Sequence, residues 1–415
     1  MRRRTKKKIL KIVLITLLII VAIERIYNSQ DKFQTTAKDA SYYGILDAGF
    51  TNSEKMKEFN YLYDILEEYY PFFNVNERVN NIDWLNNKAI YKRILRNTDN
   101  DAEYLVALDN ILGKLNDDNT YVFTGDIYRR FLKHYYPERS EVLTYFRSLG
   151  RYNFFEGFEN IQLDPNNNLI FYNGPVLETK KLIEDKVAYM RIKDMSFYHI
   201  EEDYPRIISF LKEVEGYDKL IIDIRGNAGW ADEYWMKLVE LLIDERISAE
   251  YYSFFRSNYI TTRDIFRLTD VSVTKDLDEV ILEQFPKEIT TDFQFYKINT
   301  IEINPNDDVN FGGEIYLLVD GEVKSAAEKF AAFTKDTGFA TLVGEKTGGG
   351  MTFDEVPMAY LPYGGFIINY SREMVMNSDG TINMEEKTTP HIIVDDTTPN
   401  EDYSKDKCIQ IILEN

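Results

Sequence analysis

The chain reads as an α/β protein: a layered core, preceded by a small helical domain and an N-terminal membrane anchor. Three observations carry that reading. From residue 181 onward, short β-branched or apolar runs alternate with helical stretches, which is how a layered sheet is written in sequence. Between residues 53 and 124 the apolar side chains recur at spacings of three and four. At the N-terminus a basic run leads into an apolar one.

Residues 1–11 carry seven Lys and Arg and no acid, and Ile9 to Ile23 is apolar apart from Lys11 and Thr16. A helix of that length covers roughly 22 Å against a hydrocarbon core of about 30 Å, so the run lies between a signal sequence and an anchor. Glu24-Arg25-Ile26-Tyr27 follows, with no small-residue cleavage site and no cysteine to lipidate, which favours an uncleaved anchor at residues 9–23. By the positive-inside bias the basic tail stays in the cytoplasm of a single-pass cell-membrane protein, with the chain from about residue 30 extracytoplasmic. The expected segments are 1–29, tail and anchor; 30–125, helical domain; 126–180, a connection of unassigned fold; and 181–415, the α/β core.

In the helical domain, Tyr61, Leu62, Ile65, Leu66 and Tyr69 run helically up to Pro71, and a second amphipathic stretch spans Trp84 to Leu95. Leu105, Leu108, Leu112 and Leu115 mark a third helix, with Asn100 and Glu103 as a capping box at its start. In the core, strands are expected at Val187–Ile192, Lys219–Ile224, Glu314–Asp320, Ala340–Gly344 and Phe366–Ser371. Helices are expected at Tyr204–Val214, Ala231–Asp244 and Ala326–Thr334.

Composition narrows the function classes. The 415 residues are 44% hydrophobic and 28% charged, a globular balance. The total charge of −20, less the seven positive charges of the N-terminal tail, leaves −27 on the remainder, which argues against nucleic acid as a partner. Cys408 stands alone, so an intrachain disulfide is excluded and a cysteine-based metal site is disfavoured. His134, His199 and His391 show no metal-ligand spacing. No cofactor and no metal is expected.

Three segments have the composition of a site. Leu220-Ile-Ile-Asp-Ile-Arg-Gly-Asn-Ala-Gly229-Trp230 is a buried strand entering a glycine-bearing turn whose amides can face an anion, or it is an ordinary strand-to-helix turn. In Ile315-Tyr-Leu-Leu-Val-Asp-Gly-Glu-Val-Lys-Ser325-Ala-Ala-Glu328, a serine opens an alanine-rich helix. It can attack a carbonyl while the next amide donates to the oxyanion, or it can simply cap, since Ser-x-x-Glu is also a capping box. Ala340-Thr-Leu-Val-Gly-Glu-Lys-Thr-Gly-Gly-Gly350 is a strand leaving into a triple-glycine turn, either a cleft wall or a long loop.

In this order and spacing the three segments resemble the C-terminal-processing (tail-specific, tricorn-like) serine peptidases, which show Asp-x-Arg-x-Asn-x-Gly, then Ser-x-x-Glu, then Val-Gly-Glu-x-Thr-x-Gly. Lys186-Val-Ala-Tyr-Met-Arg-Ile, Leu361-Pro-Tyr-Gly-Gly, Ser378-Asp379-Gly380 and Thr388-Thr-Pro390-His-Ile-Ile-Val are similar to further strands and turns of that family. Leu115-Asn-Asp-Asp-Asn-Thr-Tyr resembles its Leu-x-Asp-Gly-His-Thr turn. The resemblance implies a crotonase/ClpP-like catalytic core, polypeptide substrates, Ser325 as acyl-forming nucleophile, and the amides of Gly229 and Ala326 as oxyanion hole. It also locates departures. The lysine that one branch carries twenty-five residues after the serine is Gly350 here; the other branch's histidine is Asn119, and its supporting glutamate falls on Met384 with Glu385 adjacent. Lys324, Lys346 and His391 are the nearby candidates for a replacement base. The resemblance therefore implies a serine peptidase, or a pseudopeptidase that binds peptides or partner proteins without efficient hydrolysis.

Overall fold

A computed structural model describes residues 49–123, 175–257 and 270–414. The expected anchor at residues 9–23 and most of the 126–180 connection lie outside them; among the described residues no helix is long and apolar enough to cross a membrane.

Four helices come first: α1 (Asn52–Tyr69), α2 (Phe73–Asn80), α3 (Lys88–Arg96) and α4 (Asp101–Leu112). The Thr51 hydroxyl accepts from the Glu54 N–H to start α1, and the Asn100 side chain accepts from the Glu103 N–H to start α4. There follow β1 (Tyr121–Val122), β2 (Leu177–Ile183), β3 (Val187–Ile192), α5 (Phe197–Glu213), β4 (Lys219–Asp223), α6 (Asp232–Glu240), β5 (Ile247–Phe255), β6 (Ser272–Val273), α7 (Glu279–Leu282), α8 (Glu288–Asp292) and β7 (Phe295–Ile303). The chain closes with β8 (Glu314–Val319), α9 (Ala326–Thr337), β9 (Thr341–Gly344), β10 (Met358–Tyr360), β11 (Ile367–Asn369), β12 (Glu373–Val375), α10 (Asn383–Glu386), β13 (Ile392–Ile393) and α11 (Lys407–Glu414).

The central sheet has six strands in the order β13-β9-β8-β4-β3-β2, parallel throughout except that β2 runs antiparallel to β3. Both of its faces are covered, which is why its strands are nearly continuous apolar runs. Ala188, Met190, Leu220, Ile222, Leu317 and Val319 face α5, α6 and α9, where the Trp235 ring stacks on Phe330 at 5.4 Å. Their neighbours Val187, Tyr189, Ile221, Tyr316 and Leu318 face Cys408, Ile409 and Ile412 of α11. The sheet takes in residues from Leu177, ahead of the boundary expected at 181.

Two antiparallel sheets complete the fold, β12-β5-β7-β6 and β1-β11-β10. The sequence reading did not anticipate β5 and β7, which pair along nine residues from Ile247↔Ile303 to Phe255↔Phe295. Nor do the first four helices enclose a core of their own: Phe59, Leu62, Leu66, Tyr104 and Leu108 pack in one cluster with Phe254, Ile368, Met374 and Met376 of these sheets. Since β1 pairs with β11, the Asp117–Thr120 turn just before β1 is fixed against the C-terminal half.

Candidate functional site

The site lies at the carboxyl ends of β4, β8 and β9, where parallel α/β sheets leave a crevice. Beyond the last strand pairs the three chains stay in register as loops. The Lys324 N–H donates to the Asn227 carbonyl (3.1 Å) and the Ala326 N–H to that of Gly229 (3.0 Å). On the other side the Gly348 N–H donates to the Val323 carbonyl (2.8 Å) and the Ser325 N–H to that of Gly349 (3.3 Å). Asp320 closes the turn after β8, accepting from the amides of Gly226 (2.9 Å) and Glu322 (3.0 Å). Ser325 thus stands between two glycine turns.

Its backbone decides between the two readings of Ser-x-x-Glu. Ser325 has φ 58° and ψ −122°, and its side chain makes no capping bond to α9. A non-glycine residue at such angles costs about 1–3 kcal/mol. Glu328 does not reach back to the helix start either. It is fully buried, and its Oε1 accepts from Asn383 Nδ2 (2.7 Å) and the Thr388 hydroxyl (2.8 Å). Burial pushes this carboxyl up, while hydrogen bonds from Thr347, Asn383 and Thr388 and the Gly349 amide draw it part of the way back. No capping box forms at Ser325; the glutamate fastens the glycine turn and the segment after α10 beneath the serine.

Gly229 and Ala326 are both at the serine, but their amides are engaged. The Gly229 N–H donates to Asn227 Oδ1 (2.8 Å), and the Ala326 N–H meets the Gly229 carbonyl. Asn227, whose role the sequence did not reveal, also donates from Nδ2 to the Ile192 carbonyl (2.9 Å), tying the turn to β3. A Cβ on Gly229 would lie 2.4 Å from the Met195 backbone, so only glycine fits.

The Asp117–Thr120 turn reaches the site from the helical side. Buried Asp117 accepts from the Asn119 N–H (3.0 Å) and the Thr120 hydroxyl (2.5 Å), and Asp118 binds the Lys324 ammonium at 2.8 Å. Asn119 Nδ2 is 4.0 Å from the position a Cβ on Gly350 would take. Gly350 itself has φ 81°, as does Gly349, a conformation a lysine would hold only under strain.

A sequence model of peptidase family S41 matches residues 186–394, half of the chain. The chain belongs to peptidase family S41. Among solved structures, a putative peptidase from Parabacteroides merdae aligns with a TM-score of 0.53 at 17% identity, over 87% of this chain and 96% of that one. Mature CPAF complexed with lactacystin aligns with a TM-score of 0.51 at 14% identity, over 82% and 94%. At such identities the likeness is one of fold. No curated protein matches the sequence.

Of the residues singled out by resemblance to S41 peptidases, Ser325, Gly229 and Ala326 come together, with Asn119 beside the glycine turn. Glu385 does not join them. Its carboxylate is bound by Arg78 of α2, Nε at 3.1 Å and Nη2 at 2.5 Å, and Arg78 also holds Glu288 at 2.6 Å. The candidate bases are likewise occupied. Burial lowers the Lys324 ammonium pKa, but Asp118 and Glu322 outweigh it and leave the group above the ordinary lysine value, hence protonated. Lys346 pairs with Glu386 at 3.1 Å. His391 Nδ1 accepts from the Leu342 N–H (3.0 Å) at the edge of the sheet.

Proposed function

We propose that this S41 chain is a serine-type peptidase of the C-terminal-processing kind, anchored at the cell membrane and acting on extracytoplasmic polypeptides through a Ser325 acyl-enzyme. One observation carries the reading: Ser325 is held at strained angles and its hydroxyl does not cap the helix it opens. A cap would be unstrained and bonded, whereas a nucleophile on a sharp strand-to-helix turn must present its Oγ. The helices on both faces of the parallel sheet support the crotonase/ClpP-like architecture expected for such a core. The basic run before residues 9–23 supports the anchor, and with it an ectodomain outside the cytoplasm.

In the acylation step Oγ bonds to the scissile carbonyl carbon as the carbonyl π electrons move onto its oxygen and the hydroxyl proton passes to a base; collapse of that adduct breaks the C–N bond, and the departing amine takes up a proton. The Asn119 amide accepts hydrogen bonds but not a proton at neutral pH. Water then takes the proton, and turnover falls by about 10⁴ to 10⁶ against a complete triad. The Gly229 peptide must also rotate, so that its carbonyl leaves the Ala326 N–H free for the oxyanion. These same features, Asn119 and the two engaged amides, favour the second reading, a protein that binds polypeptide without efficient hydrolysis.

Prolonged incubation of the ectodomain with an unfolded protein at high enzyme concentration tests the choice. The first reading predicts slow cleavage that Ser325→Ala abolishes and Asn119→His raises by about 10²-fold, the lower end of what a general base contributes. Binding of the unfolded protein with no cleavage by either wild type or Asn119→His selects the second.

A further inference from the structure

Away from the serine, the charge of the body is unevenly placed. Residues 12–415 carry −27, yet the stretch from Trp84 to Thr98 holds Lys88, Lys92, Arg93 and Arg96 and no acid at all. All four basic residues fall on α3. Tyr91 and Leu95 turn inward, where the Tyr91 ring meets that of Phe59 on α1 edge-on, centroids 6.4 Å apart. Ala89, Ile90, Arg93 and Arg96 follow one another at helical spacing along the exposed face, with half-buried Lys92 beside them.

On an acidic body, surface cations ordinarily find an acidic neighbour. On α3 only Lys88 does: Asp64 binds it at 3.6 Å, and its ammonium lies over the Tyr63 ring. Among the described residues Lys92, Arg93 and Arg96 make no ion pair and no side-chain hydrogen bond. At the end of the helix Arg96 shares a hollow with Asn52, Lys55, Thr98 and Asp99, two cations against one acid. The buried Lys55 ammonium donates to the Thr98 carbonyl (2.9 Å) and hydroxyl (3.0 Å), with no carboxylate in ion-pair contact among the described residues. A buried charge without a counter-ion is costly, and it adds to the positive potential at that end of α3. Ile90, 43% exposed, lies one turn from Arg93. Unpaired cations around an exposed aliphatic residue are the composition of a helix that lies in the interface of an anionic bilayer.

We propose that α3 is the face by which the body lies on a bilayer of anionic phospholipids, with Lys92, Arg93 and Arg96 on the phosphate groups and Ile90 in the headgroup layer. The inference rests on the anchor proposed for residues 9–23, and it adds which side of the body that anchor brings to the lipid. Charge and connectivity favour this occupant. Only 28 residues separate Ile23 from Asn52, where α1 begins, and α3 packs on α1. A tether of that length makes contact with the bilayer an intramolecular event, so three cations suffice where a free protein would need more. An acidic partner in solution has no such help. A second copy brings the same −27 and is repelled over most of its surface.

The test reconstitutes the full chain in vesicles of phosphatidylcholine, or of phosphatidylcholine mixed equally with phosphatidylglycerol. A membrane-impermeant acetylating ester and phenylglyoxal then mark accessible lysines and arginines, read by mass spectrometry against Lys405 and Arg246 as exposed references. Lys92, Arg93 and Arg96 are expected to react at least about fivefold more slowly on the anionic vesicles, and the difference to vanish at about 1 M salt, where screening shortens to about 3 Å. Arg93→Glu with Arg96→Glu should leave Lys92 equally reactive on both lipids, whereas Arg93→Lys with Arg96→Lys should keep it protected. These side chains are bonded to nothing in the fold, so circular dichroism should show every variant folded. Equal reactivity on both lipids, or protection that survives high salt, overturns the proposal. So does protection without vesicles that grows with chain concentration, which identifies a second copy, and protection by soluble polyglutamate but not by phosphatidylglycerol, which identifies an acidic protein. An alkaline carbonate wash separates this claim from the anchor. Lipid-selective protection in a chain that the wash strips from the vesicles leaves the α3 face standing without an anchor, and a chain that resists the wash with no such protection does the reverse.

Discussion

At the scale of single residues, Ser325 carries most of the argument, because its backbone and its side chain point to the same conclusion. The residue sits at φ 58° without a capping bond, so removing the hydroxyl costs the helix nothing it was using. Urea unfolding should show Ser325→Ala close to wild type, where a genuine N-cap would lose about 1 kcal/mol. Ser325→Gly should exceed Ser325→Ala by roughly 1 kcal/mol, since glycine adopts the positive φ without strain. A glycine variant less stable than the alanine one would mean that the elbow is not strained. The motif made Ser325 legible in the sequence, but Ser-x-x-Glu encodes a cap and an elbow equally well, and only the dihedral angles separate them. The occupied amides of Gly229 and Ala326 were not legible at all, since the orientation of one peptide plane leaves no trace in composition.

At the scale of elements, Glu328 of α9 staples the glycine turn that continues β9 to the segment after α10. Its partners Asn383 and Thr388 lie 55 and 60 residues further along the chain, so no local pattern could have shown them. Burial raises this carboxyl in the folded state. Between its unfolded pKa and its raised folded one, the folded chain keeps a proton that the unfolded chain has released, so rising pH removes stability across that window. Glu328→Gln lacks the titration. The stability gap between wild type and Glu328→Gln should therefore narrow as pH rises from about 4 towards neutrality, measured by urea unfolding at stepped pH. A gap that widens would show that the carboxylate is favoured rather than penalised by its site. The parallel strands were readable because both of their faces are buried and their sequences are apolar throughout. β5 and β7 escaped because each alternates polar with apolar residues along much of its length, and each finds its partner some fifty positions away. A search for apolar runs passes over half-exposed strands of that kind.

At the scale of the whole molecule, distant segments converge on the site's frame. Arg225, two residues before Asn227, is fully buried and binds Asp223 at 2.6 Å and Asp406 at 2.8 Å, while its Nη1 donates to the Thr397 carbonyl at 2.9 Å. Burial alone would lower the guanidinium pKa, but the two carboxylates more than reverse that and keep the charge. The segment leading into α11 is thereby tied to the strand that presents Gly229. Asp406→Ala leaves Arg225 paired with Asp223 but strips the guanidinium and the amides of Cys408 and Ile409 of a buried acceptor, so it should cost about 1–3 kcal/mol in chemical unfolding. A loss below 1 kcal/mol would mean that the C-terminal segment is not part of the folded unit. Arg78 makes a comparable tie from α2 to α10 through Glu385, the residue that resemblance had put nearest to a catalytic role. Long-range ties of this kind join residues scattered through the chain, which is why the sequence conveyed the sheet and the serine but not the frame around them. The central claim, that Ser325 is a reactive nucleophile despite Asn119, is tested most directly by treating the folded ectodomain with a fluorophosphonate probe alongside Ser325→Ala. Labelling present in the wild type and absent from the variant is the predicted result. A folded wild-type protein that takes up no label over hours would contradict the claim and leave the chain a polypeptide-binding member of its family.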